Sequence, residues 1–178
     1  MVKPEEKARY VIDGLLEASG WRVQNYHEFN LGEAVGVAIR EFSLSNGIAD
    51  YLLFVNRKAV GVIEAKSEGT TLSGVAEQTA KYLEGIPYNL ITSQTPPCFA
   101  YETTGGEIYF RDLRDPEARS RRVFAFHKPE TLTEWLSQNL LIIRHFQYYF
   151  YPKAIIIAKF LRMISGKRPG KLVLFKNY

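Results

Sequence analysis

A chain of 178 residues, 46% of them apolar, can enclose one hydrophobic core and suits a single domain with an extension. Its one cysteine, Cys98, excludes an internal disulfide, and the scattered His27, His127 and His145 offer no zinc-ligand spacing. The formal net charge of +4 is an uneven average. Residues 140–178 hold eight Lys/Arg and no Asp or Glu, while residues 1–139 hold 15 Lys/Arg against 19 Asp/Glu, so a basic pI of about 9.1 does not by itself argue for nucleic-acid binding.

In chain order, residues 5–19 carry Ala8, Val11, Ile12, Leu15 and Leu16 on one stripe and stop at Gly20, which predicts an amphipathic helix. Residues 35–44 alternate as a first strand, Asn46-Gly47 marks a turn, and 48–55 and 59–65 read as two further strands joined by Asn56-Arg57-Lys58. A helix is expected over 73–84, a strand over 88–92, and a strand pair over 98–102 and 107–112 hinged at Thr103-Thr104-Gly105-Gly106. The run Arg111, Arg114, Arg119, Arg121 and Arg122 is broken by Asp112, Asp115 and Glu117, which favours a solvated loop over a DNA contact. After Pro129 a helix over 130–141 leads to the aromatic cluster 145–151 and a basic, apolar segment, read as a linker or docking surface through which the chain would self-associate. No charged-then-apolar leader is seen, and no apolar run nears the roughly 18 residues of a membrane span, so a cytoplasmic protein with no membrane partner is expected.

The most informative residues lie on the two central strands. Successive side chains of a strand alternate faces, so Val60, Val62, Glu64 and Lys66 are expected on one side. If the two strands pair antiparallel through the Asn56 turn, Asp50 comes to lie beside Glu64, and two carboxylates converge with an ammonium. Mg²⁺ prefers oxygen ligands, usually one or two carboxylates with waters and phosphate oxygens, which Asp50, Glu64 and the Ala65 carbonyl could supply; Mn²⁺ could substitute. Lys66 would orient the attacking water or neutralise charge on the phosphate. Taken alone, Glu-x-Lys at a strand end is more often a solvated ion pair. Gln78 and Tyr82, four residues apart, share one helix face and could both look toward this site, although Tyr82 in the core and Gln78 at the surface is the plainer alternative.

Asp50 followed by Glu64-Ala65-Lys66 resembles the PD-(D/E)xK nuclease motif, and Gln78-Thr79-Ala80-Lys81-Tyr82 resembles the QxxxY motif of its RecB-like branch. The stretches Pro4-Glu-Glu-Lys-Ala-Arg9, Gly20-Trp21, Arg40-Glu41-Phe42, Ala49-Asp50-Tyr51-Leu52, Glu68-Gly69-Thr70-Thr71-Leu72, Tyr101-Glu-Thr-Thr-Gly105 and residues 124–135 are similar, in order, to the amino-terminal nuclease region of type I restriction enzyme R subunits. The resemblance implies an α/β fold, a restriction-endonuclease-like mixed central sheet flanked by helices. The chain is read as a nuclease domain over 1–128 and a helical, basic extension over 129–178, and the resemblance places a helicase-like motor beyond it. It also implies a further carboxylate on the first helix, Glu5 or Glu6, although Glu5 has Arg9 at i+4 as a competing structural partner; Glu41 is a weaker candidate.

The function so implied is Mg²⁺-dependent endonucleolytic hydrolysis of foreign double-stranded DNA by a type I site-specific deoxyribonuclease, working with modification and specificity subunits. ATP would enter only through the motor, since Gly166-Lys-Arg-Pro-Gly170-Lys171-Leu172 is one residue short of a P-loop and lacks its hydroxyl. Two other readings are a noncatalytic DNA- or subunit-docking domain and a stand-alone RecB-like repair nuclease.

Overall fold

A computed structural model describes residues 4–67, 69, 75–91 and 97–138. Contacts divide the chain into one compact unit ending at Leu136 and a second beginning at Ser137; the aromatic and basic segment expected to drive self-association lies outside the described residues.

The first unit is built on a seven-stranded mixed sheet whose spatial order follows the chain. After helix α1 (Pro4–Ala18) come β1 (Arg22–Asn25), β2 (Gly36–Leu44), β3 (Gly47–Val55) and β4 (Lys58–Ala65), then helix α2 (Val75–Glu84), β5 (Phe99–Thr103), β6 (Ile108–Asp112) and β7 (Arg121–Val123). β1 and β2 are parallel, as are β4 and β5, whose crossover carries α2; the other neighbours are antiparallel. Val55 pairs with Lys58 across a two-residue turn in which Asn56 and Arg57 have φ of 49° and 67°. Positive φ at both central residues is the primed turn that suits the twist of paired strands.

Leu52, Leu53 and Phe54 alternate between two buried clusters, one on each face of the sheet. Ile12 and Leu16 of α1 join Tyr51, Leu53, Ile63, Phe99 and Tyr101 on one face. Tyr82, Leu83 and Ile86, at and just after the end of α2, join Leu52, Phe54, Val62 and Ala100 on the other. Residues 129–138 are helical, and Leu132 is fully buried in the α1-side cluster with Trp135 packed beside it. The helix expected to open the extension thus contributes to the core of the sheet domain. Pro129 lies against Gly36, where a Cβ would come within 2.0 Å of its ring, and the Trp21 indole donates to the His127 carbonyl at 2.9 Å.

Three expectations are corrected. Val60 does not share a face with Val62: a register shift at Leu53/Phe54 introduces a bulge, and Val60 enters the α1-side cluster while Val62 stays beneath α2. Where a strand was expected over 88–92, the described residues form a turn of 3₁₀ helix, Tyr88–Leu90, followed by an isolated bridge from Ile91 to Ala59. The arginine run is not all loop, because Arg121 and Arg122 belong to edge strand β7; Arg119, Arg121 and Arg122 pair with Glu117, Asp115 and Glu107. β1, short and polar, was not anticipated.

Candidate active site

The register of β3 and β4 sets Tyr51 opposite Ile63, and one further step along the pair brings Asp50 and Glu64 together. The Asp50 carboxylate accepts the Ala65 amide at 2.7 Å, which ties the end of β3 to the end of β4. Lys66 leaves the strand end with its own amide bonded to the Thr103 carbonyl of β5 at 2.8 Å. Its Nζ lies 2.6 Å from Glu64 Oε1 and 3.3 Å from Gln78 Oε1. The Gln78 amide in turn donates to the Tyr82 hydroxyl at 2.8 Å. Asp50, Glu64, Lys66, Gln78 and Tyr82 thus form one connected group, as the alternation of β4 and the i, i+4 spacing of α2 anticipated.

Glycine lets the helix end and the hairpin approach each other. Gly47 has φ +148°, and a Cβ there would stand 2.9 Å from the Tyr82 ring. Beyond it, Asn46 donates to the Lys81 carbonyl, and Ser45 bonds the Gly85 carbonyl through both its amide and its hydroxyl, at 3.3 and 3.1 Å. The β2–β3 turn therefore fixes the carboxyl end of α2.

The electrostatics favour a cation. Glu64 is 4% exposed, and its Oε2 is a buried oxygen without a hydrogen-bond partner. Burial pushes the Glu64 carboxyl above its ordinary range; Lys66 opposes the shift and the neighbouring Asp50 adds to it. Asp50 is also pushed up by burial, against the Ala65 amide and the charges of Lys66 and Arg9. Two crowded carboxylates, one with an unsatisfied oxygen, make a donor set suited to a hard divalent ion. Among the described residues no group of three or more His, Cys, Asp or Glu side chains is placed to hold a metal, which leaves Asp50 and Glu64 as the described carboxylates of the site. That still fits Mg²⁺, which commonly keeps waters and phosphate oxygens in its remaining positions.

The further carboxylate candidates divide between α1 and β2. Glu5 lies in the first turn of α1, its side chain outside the described residues. Glu41 sits in the left-handed region at φ 50°, at an irregularity in β2, and its carboxylate binds Arg9 at 2.8 Å, one helical turn beyond Glu5. α1 is held near the site by Asp13, which accepts the Tyr51 hydroxyl at 2.8 Å and pairs with Arg40 at 2.9 Å. The sequence reading passed over Glu102 and Thr79 and took Arg111 only as part of a basic run; the three form a largely buried polar cluster between α2 and the sheet.

A family model for the second domain of the type I restriction enzyme EcoKI endonuclease subunit matches residues 32–102, the segment containing Asp50, Glu64, Lys66, Gln78 and Tyr82. Over this segment the chain is similar to type I restriction enzyme endonuclease subunits. The EcoKI endonuclease subunit of Escherichia coli (strain K12) is 26% identical over 185 aligned positions, covering 76% of this chain and 16% of that protein. The fragment structure named as an HsdR subunit of a type I restriction enzyme from Vibrio vulnificus YJ016 superimposes with a TM-score of 0.55 at 20% identity, covering 75% of this chain and 25% of that one. The restriction-endonuclease-like fold and the resemblance to the R-subunit nuclease region are both borne out. The chain spans only a small part of the length of these relatives. Among the described residues no helix is long and apolar enough to cross a membrane.

Proposed function

We propose that this chain is the Mg²⁺-dependent DNA endonuclease domain of a type I restriction-modification enzyme, hydrolysing phosphodiester bonds of foreign duplex DNA within a complex that includes modification and specificity subunits. The observation that carries the reading is the convergence of Asp50 and Glu64 with Lys66 at the ends of β3 and β4, with Glu64 Oε2 buried and unsatisfied. Asp50 and Glu64 would hold the metal, with the Ala65 carbonyl as the backbone candidate. When bound, Mg²⁺ or Mn²⁺ supplies Lewis-acid polarisation of the scissile phosphate and acidifies a bound water. Lys66, a cation between Glu64 and Gln78, orients the attacking water or offsets the charge that gathers on the phosphate. Gln78, itself hydrogen-bonded to Tyr82, fixes where that ammonium stands. ATP acts on the system through a motor encoded outside this segment, and the cytoplasm is the expected compartment.

Calorimetric titration with Mg²⁺ and Mn²⁺, compared with Asp50→Ala, tests the metal assignment. Weak binding to the wild type that is lost in Asp50→Ala is expected. Equal affinity in both proteins removes Asp50 from the ligand set.

A further inference from the structure

Two buried carboxylates stand side by side on the α2 face of the sheet. β4 and β5 are parallel neighbours with Glu64 in register with Glu102, and Glu102 is 2% exposed. Their surroundings differ. Glu64 Oε2 has no hydrogen-bond partner, whereas both oxygens of Glu102 are engaged: Oε1 accepts the Thr79 hydroxyl at 2.8 Å and Oε2 accepts the Ser120 hydroxyl at 3.2 Å. Arg111 of β6 donates to Thr79 Oγ1 at 2.8 Å and lies 3.5 Å from Glu102 Oε1. A carboxylate already met by protein donors has little left to offer a metal, so Glu102 does not extend the ligand set.

Thr79 follows Gln78 in the chain and is fully buried. Its hydroxyl bridges to a charged pair on two strands, which ties α2 to the sheet by hydrogen bonds to ionised groups, the stronger kind. The same helix presents Gln78 to Lys66. We propose that Glu102, Thr79 and Arg111 form a positioning clamp for the proposed cleavage reaction, fixing the depth and rotation of α2 so that Gln78 Oε1 holds the Lys66 ammonium beside Glu64. The three residues act through Gln78 and touch neither metal nor substrate, and the assignment rests on the nuclease reading above.

The test is Thr79→Val, which removes the hydroxyl at nearly constant volume, with Thr79→Ser as the variant that restores it and Thr79→Ala as the substitute if the valine protein does not fold. In Mg²⁺-dependent cleavage of duplex DNA by the chain, assembled with its partner subunits if it needs them, Thr79→Val should lower kcat by on the order of 10-fold to 10²-fold, the range that a small misplacement of a catalytic group produces. KM for DNA and the affinity for Mg²⁺ should not change, and Thr79→Ser should recover most of the rate. In a Gln78→Ala background Thr79→Val should cost nothing further, because the clamp works through Gln78. Losses that multiply in the double variant, or a wild-type kcat in folded Thr79→Val, overturn the clamp. A crystal structure of Thr79→Val gives an answer independent of activity: the contact between Gln78 and Lys66 should be lost, and its retention refutes the proposal. A wild-type complex that fails to cut DNA counts against the nuclease reading instead, and that crystal structure still decides the clamp.

Discussion

Glu64→Gln should stabilise the metal-free protein while abolishing its response to Mg²⁺. In the wild type, Glu64 is a buried carboxylate that has one cation, Lys66, and one unsatisfied oxygen facing Asp50. A glutamine of the same shape can keep its oxygen toward Lys66 and turn its amide toward Asp50, replacing a repulsive contact with a donated hydrogen bond. A hydrogen bond to a charged group contributes about 1.5–3 kcal/mol. Against it stands the lost ion pair, and because the Lys66 side chain is 29% exposed that loss is closer to the roughly 0–1 kcal/mol of a solvent-screened pair. The balance is a gain of about 1–2 kcal/mol, a rise in Tm of about 3–6 °C for a domain of this size. Mg²⁺ at about 100 times its Kd should stabilise the wild type by about 2.7 kcal/mol and leave the variant unmoved. Thermal unfolding of both proteins with EDTA and with Mg²⁺ gives the four melting points required. A metal-free Glu64→Gln less stable than wild type, or equal Mg²⁺ shifts in the two, would refute the reasoning that Glu64 is held ready for a cation.

Burial among Phe110, Tyr101 and Trp135 holds the His127 imidazole below its ordinary value, with Nδ1 2.7 Å from the Tyr101 hydroxyl. The folded protein therefore binds this proton less readily than the unfolded chain, so stability should fall as pH drops below about 6.5 toward the lowered folded pKa; urea unfolding of wild type and His127→Gln at pH 7.5 and 5.5 should show a smaller loss in the variant. Gly47→Ala forces a Cβ to 2.9 Å from Tyr82 in a backbone conformation that disfavours it, and should cost about 1–3 kcal/mol in denaturant unfolding; an unchanged midpoint would contradict the packing of Tyr82 on the hairpin. Asp13→Ala strands the Tyr51 hydroxyl and leaves Arg40 without its carboxylate, and a loss of about 2–4 kcal/mol is expected by the same measurement.

The register of the candidate site was legible because it depends on two simple regularities. Period two along β4 puts Glu64 and Lys66 on one side, and a two-residue turn after Val55 fixes which residue of β3 faces them. The same regularity failed at Val60, where a bulge resets the alternation beside Gly61, whose missing Cβ leaves room for the Phe99 carbonyl that would stand 2.3 Å from it. β1 and β7 carry too few apolar residues to mark a strand, Arg22-Val-Gln-Asn25 and Arg121-Arg-Val123, and are formed by pairing at the sheet's edges. After Pro87, residues Tyr88-Asn-Leu90 are as apolar as a strand but turn back on themselves, with Leu90 bonded to the Pro87 carbonyl at 2.9 Å. Glu102 was invisible as a positioning residue since its partners, Thr79 and Ser120, lie 23 and 18 residues away on other elements.

The central claim is that Lys66 serves the reaction while Asp50 and Glu64 serve the metal. Lys66→Ala, folded and assembled with its partner subunits where the isolated chain is inert, should keep its affinity for Mg²⁺, since an ammonium is not a ligand and its loss removes a repulsion from the cation. Its rate of DNA cleavage in Mg²⁺ should fall by about 10²-fold to 10³-fold, the usual worth of transition-state charge stabilisation. A Lys66→Ala protein that nicks duplex DNA at the wild-type rate would contradict the account and leave the site a structural ion pair on a docking domain.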